Sequence, residues 1–117
     1  MGSSVPKQLA FYCFCPFIVS RMFVVDLKYI VSLTELDEHM DAHVQYLKKY
    51  YKKNIFVASG RKVPRTGGII LALAKDEDEL KKILMEDPFY KHRLADFTIT
   101  QFLTSQYHPD LESLLGK

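Results

Sequence analysis

The chain has 117 residues, of which 48% are apolar and 26% charged, figures that suit one globular domain and exclude a disordered chain. A domain of this length buries enough surface to fold without metals or disulfides. With 16 Lys and Arg against 14 Asp and Glu, the net charge is +2, which gives no electrostatic case for a nucleic-acid partner.

Residues 1–21 differ in pattern from the rest of the chain. The apolar run LAFYCFCPFIVS, from Leu9 to Ser20, is broken by Pro16 and falls short of the ~20 residues a bilayer span needs. No membrane role is therefore expected. Lys7 ahead of the run resembles a signal-peptide flank, but the small-residue cleavage site is absent. The expected organisation is an N-terminal extension over 1–21, outside the fold, an α+β domain over 22–106 and a tail over 107–117. A signal-like leader and an extra strand stay open for the extension. Cys13 and Cys15 stand as C-x-C, not as the redox C-x-x-C, and no second pair exists to complete a zinc site. This cysteine usage points to a reducing, cytoplasmic setting.

From Met22 the pattern becomes regular. Phe23, Val25, Leu27, Tyr29 and Val31 alternate with Val24, Asp26, Lys28 and Ile30, which predicts a strand over 22–31. Ser32 with Glu35 forms a capping box. Leu33, Leu36, Met40, Val44, Leu47 and Tyr51 then make one apolar stripe, predicting a single helix to Lys53. The lysines of its last two turns suit a solvated face and the negative end of the helix dipole. Ile55 to Ala58 predicts a second strand ending near Ser59-Gly60. RKVPRTGG is a loop, and Ile69 to Ala74 a buried third strand. Asp76 with Glu79 opens a second helix, which Asp87-Pro88 ends, because the residue before proline avoids the helical region. A last strand over 95–104 completes the order β-α-β-β-α-β. That order is the ferredoxin-like arrangement: an antiparallel sheet with both helices on one face. The other face, left open, predicts a homodimer.

Few residues are placed for chemistry. His43 borders the apolar stripe and points toward the sheet, where an imidazole can act as acid or base. It can equally be a boundary histidine bonded to a neighbour. Asp87 reads locally as a helix stop, or as a carboxylate held at a cleft by a stiff proline and able to orient a histidine. Ser59 is structural or substrate-contacting, since no G-x-S-x-G accompanies it, and Gly60 suggests a positive φ or a close backbone approach. His39 and His43 lie four apart, but Met40 stands where H-E-x-x-H has its Glu, so no metal is expected.

AHVQYLKKYYKKNIFVASG resembles the H-x-x-Y-L … S/A-G segment of YciI-like (YCII-related) proteins. GGIILALAKDEDELKKILMEDPF resembles their next segment, which ends in D-P-F. The resemblance covers most of 22–104. It implies a dimeric α/β-barrel version of the ferredoxin-like fold, with a site built on His43 and Asp87. Ser59 and Gly60 match the cleft-lining S/A-G. The arginine that many relatives carry shortly before the histidine is replaced here by His39-Met40-Asp41, which leaves any anion-binding role to Arg61 or Arg65. One branch is similar to enzymes that remove chloride from hydroxylated rings, and the wider group includes isomerases of ring lactones.

Three functions stay open. The first is a cofactor-free enzyme on a small cyclic or aromatic metabolite, with His43 moving the proton, Asp87 fixing its tautomer, and Phe89 and Tyr46 enclosing a flat substrate. The second is a non-catalytic dimeric module for a small ligand or a protein partner. The third is a haem- or oxygen-using barrel protein with His43 as axial ligand.

Overall fold

A computed structural model describes residues 21–115, so the expectations for 1–20, including those for Cys13 and Cys15, lie outside the described residues. The strands are β1 (Arg21–Tyr29), β2 (Phe56–Arg61), β3 (Gly67–Leu73) and β4 (Ala95–Leu103). They form one antiparallel sheet in the order β2-β3-β1-β4. The helices are α1 (Leu33–Asp37), α2 (Met40–Lys52), α3 (Glu77–Leu84), α4 (Pro88–Lys91) and α5 (Glu112–Leu115), the last preceded by a 3₁₀ turn (Pro109–Leu111). The α+β, ferredoxin-like order read from the sequence is the order of the fold.

Strand alternation decides where the core sits. Phe23, Val25 and Leu27 of β1 are buried, while Val24 and Asp26 are half-buried and Lys28 is exposed. In register, Phe23 stands beside Ala72 and Val25 beside Ile70, both buried. These side chains pack with Leu36, Tyr46 and Tyr50 of α1 and α2 and with Leu80, Ile83 and Leu84 of α3. A one-residue slip of β1 would exchange this set for Asp26 and Lys28, so burial itself fixes the register.

The predicted single first helix is two. Glu38 N–H donates to Glu35 O at 3.2 Å and His39 N–H to Leu36 O at 3.0 Å. These bonds span three residues instead of four, which tightens the chain and ends α1. The break re-phases the apolar stripe. His43, Tyr46 and Tyr50 are the buried residues of α2, while Val44, Leu47 and Tyr51 are only half-buried. The sequence spacing of three and four fits either phase and does not choose between them.

Both capping boxes form their first bond. Ser32 Oγ accepts from Glu35 N–H at 3.1 Å and Asp76 Oδ1 from Glu79 N–H at 2.8 Å. Gly60 departs from its expectation. None of the described glycines has a positive φ, and nothing lies within 4 Å of where a Cβ on Gly60 would stand. After β4 the chain turns at Pro109 and returns Leu115 to a buried position. Among the described residues, no helix is long and apolar enough to cross a membrane.

Candidate active site

The D-P-F segment does more than end a helix. Asp87 N–H still donates to Leu84 O, closing α3, while its own backbone is extended (φ −66°, ψ 129°). That is the conformation a residue before proline prefers. Pro88 then takes the first position of α4, where a missing N–H is harmless, and Asp87 caps that helix by accepting from Phe89 N–H at 2.9 Å. The carboxylate is thus fixed by the backbone on both sides.

The same Asp87 Oδ1 meets His43 Nδ1 at 2.8 Å, across 44 positions of sequence. Asp87 is fully buried and His43 is 8% exposed. An ionised carboxylate oxygen only accepts, so with Asp87 ionised Oδ1 is the acceptor in both bonds and His43 Nδ1 is the donor. His43 Nε2 then has no protein partner among the described residues. Asp87 Oδ2 is buried and likewise without a partner.

Aromatic packing holds the imidazole plane. The rings of His43 and Phe89 stack at 3.9 Å with 3° between planes, and Tyr29 meets Phe89 edge-on at 6.1 Å. Tyr46 braces the arrangement from behind. Its hydroxyl donates to Ile83 O at 2.8 Å, tying α2 to the end of α3 just before Asp87. Burial, and secondarily the Asp87 charge, hold the Tyr46 phenol well above its usual pKa. Lys49 Nζ adds an outer tie to Glu86 Oε1 at 3.0 Å.

His43 opens onto a hollow of about 440 Å³. Its apolar walls are Tyr29, Phe89 and the α2 residues Met40, Val44 and Leu47; Gly60, Arg61 and Arg65 complete the lining. A volume of this order holds a small organic molecule. Among the described residues no three His, Cys, Asp or Glu side chains gather as a metal-ion cluster.

Of the residues singled out from sequence, His43, Asp87 and Phe89 are in mutual contact, and Gly60 lines the same hollow. Ser59 does not line it; its hydroxyl lies 2.6 Å from the Tyr51 hydroxyl. Tyr46 is a brace, not a wall. Sequence reasoning misses Tyr29 and takes Met40, Val44 and Leu47 as core. Yet Met40, His43, Val44 and Leu47 fall at i, i+3, i+4 and i+7, one helix face, and that spacing is the signal that could have found them.

No curated protein matches the chain. Among solved structures, it resembles 5-chloro-2-hydroxyhydroquinone dehydrochlorinase (TftG) from Burkholderia phenoliruptrix AC1100, in complex with 2,5-dihydroxybenzoquinone. The TM-score is 0.61 at 22% identity, over 69% of this chain and 92% of that one, a likeness of fold. Residues 22–103 match the YCII-related domain, and the chain therefore belongs to the YCII-related family.

Proposed function

We propose that the protein is a cofactor-free enzyme that uses His43 and Asp87 as an acid–base pair on a small cyclic or aromatic metabolite. The observation that carries this reading is the 2.8 Å bond from His43 Nδ1 to a fully buried Asp87, beside a hollow and with Nε2 unclaimed among the described residues. Asp87 holds the ring in the tautomer whose Nε2 lone pair is free to take a proton. The imidazolium so formed is paired with the Asp87 carboxylate through the same 2.8 Å contact. Return of the proton from Nε2 to another atom of the same molecule completes a cycle that consumes no cofactor. The apolar walls and the Phe89 stack favour a flat ligand over a bulky one.

The structural neighbour acts on a chlorinated hydroxyhydroquinone and was captured with a dihydroxybenzoquinone. That supports oxygenated six-membered rings as the first substrates to screen. For a ring that turns over, His43→Gln is expected to lower kcat by roughly 10²–10⁴ with the fold retained. Unchanged turnover in that variant would refute the reading, and binding without turnover across the screen would favour a non-catalytic ligand module.

The sheet face opposite the helices supports a homodimer as the working unit. Val24, Ile69 and Leu71 share that face, with Phe102 43% exposed at its edge. The same face carries Asp26, Thr98 and Thr100, so its apolar part is a patch, and a second copy covers such a patch by two-fold symmetry. Sedimentation should give twice the chain mass, and Leu71→Asp should give a folded monomer; a wild-type monomer at micromolar concentration would contradict this. The two cysteines of the chain support a reducing, cytoplasmic setting.

A further inference from the structure

The charged side chains that line the hollow, Arg61 and Arg65, are both cationic. Among the described residues no Asp or Glu lines it. Asp87 lies behind the His43 ring, already engaged by two donors. The two arginines are not equivalent. Arg65 is held in a forked pair with Asp37, the last residue of α1, through Nη2 to Oδ1 and Nη1 to Oδ2. This bond keeps the Asp37 carboxyl below its usual pKa and steadies the β2–β3 loop. Arg61, the last residue of β2, is exposed and has no acidic partner among the described residues.

An unpaired guanidinium beside apolar walls is a ready partner for an anionic group. Its planar fork matches a carboxylate with two parallel bonds, which a lysine could not do. We propose that Arg61 is the specificity-determining residue of the hollow, and that the ligand is a flat ring bearing a carboxylate or a comparably placed anionic oxygen. The proposal rests on the reading of this hollow as a small-molecule site and narrows its substrate class. Arg65 acts as a positioning residue, holding the loop after Arg61 against α1 through Asp37. The anion would dock at Arg61 while the ring lies along Met40, Val44 and Phe89, in reach of His43.

The test compares benzoate with benzamide, which share ring and size and differ in charge, by titration of the full chain followed in amide NMR spectra. Wild type should bind benzoate about tenfold or more tightly than benzamide, as a charge-assisted bond predicts. The preference should shrink as ionic strength rises. Arg61→Gln should reduce it to within about twofold, and Arg61→Lys should retain part of it, since charge remains but the fork does not. Turnover in His43→Gln tests the acid–base reading and the benzoate preference in Arg61→Gln tests this inference, so that the two fail separately. Equal binding of the two probes, no binding of benzoate at millimolar concentration, or a preference intact in Arg61→Gln would each overturn the proposal.

Discussion

Asp87→Ala should lower both stability and turnover, whereas Asp87→Asn should lower turnover far more than stability. The difference lies in what Oδ1 does. It accepts from His43 Nδ1–H at 2.8 Å and from Phe89 N–H at 2.9 Å, in a fully buried setting. Alanine leaves both donors unsatisfied and removes the α4 cap, for an expected loss of about 2–4 kcal/mol. Asparagine has a constrained choice. The Phe89 N–H needs an acceptor, so the amide oxygen takes the Oδ1 place and still receives the Nδ1 proton. The amide NH₂ falls where Oδ2 stood, an atom without a partner among the described residues. The cost is then toward the low end of about 1–3 kcal/mol, set by the two N–H donors of one buried NH₂ group. What asparagine cannot supply is the negative charge against the imidazolium. Turnover should therefore fall by about 10² or more while the tautomer is kept. Urea unfolding and single-turnover rates on the same samples check this. Equal destabilisation by both replacements would mean that Asp87 contributes charge to stability, and full turnover in Asp87→Asn would remove the carboxylate from the chemistry.

Gly67→Ala should be among the most damaging single methyl additions in the chain. Gly67 faces Lys28 across the β1–β3 ladder, and a Cβ there would stand 1.8 Å from Leu27 O and 2.9 Å from Leu27 C. Both atoms are backbone of a strand paired on both sides, so no rotamer change relieves the clash. Either the ladder opens at Gly67 or β1 shifts, and Leu27, a core residue at 2% exposure, moves with it. Overpacking at such a place is expected to cost on the order of 3 kcal/mol or more. Gly60→Ala provides the control, because its Cβ enters open space. It should change stability by no more than about 0.5 kcal/mol. A Gly67→Ala protein that melts with the wild type would show that the β2–β3 loop end is far looser than its pairing implies.

The fold is largely legible in the sequence because two periodicities are clean. The alternation of Phe23, Val25 and Leu27 with Val24, Asp26 and Lys28 names both the strand and its buried face. Ser32 and Asp76 mark two helix starts by the chemistry of capping, and both caps form. The break at Glu38-His39 is not legible, since a stripe with spacing of three and four survives the re-phasing. The site is half legible. Asp87-Pro88 reads as a stop, which it is, but Asp before Pro is equally a start signal, with Asp as cap and Pro in the first helical position. That double role is what aims the carboxylate at α2. The meeting of His43 with Asp87 across the fold is a tertiary fact that local spacing leaves open; the resemblance to YCII-related proteins supplies it. Ser59 illustrates the reverse. The family resemblance puts it at the cleft, yet its hydroxyl is engaged with Tyr51, near the end of α2.

On the proposed reading, Asp87 locks one tautomer of His43 and thereby frees Nε2. A long-range ¹H–¹⁵N spectrum of the His43 imidazole in the neutral ring reads this directly. The prediction is a protonated Nδ1 and a bare Nε2 in the wild type, with the ring reverting toward the Nε2–H form in Asp87→Ala. A wild-type ring carrying its proton on Nε2 would contradict the account, because the nitrogen assigned to proton transfer would then hold no lone pair to use.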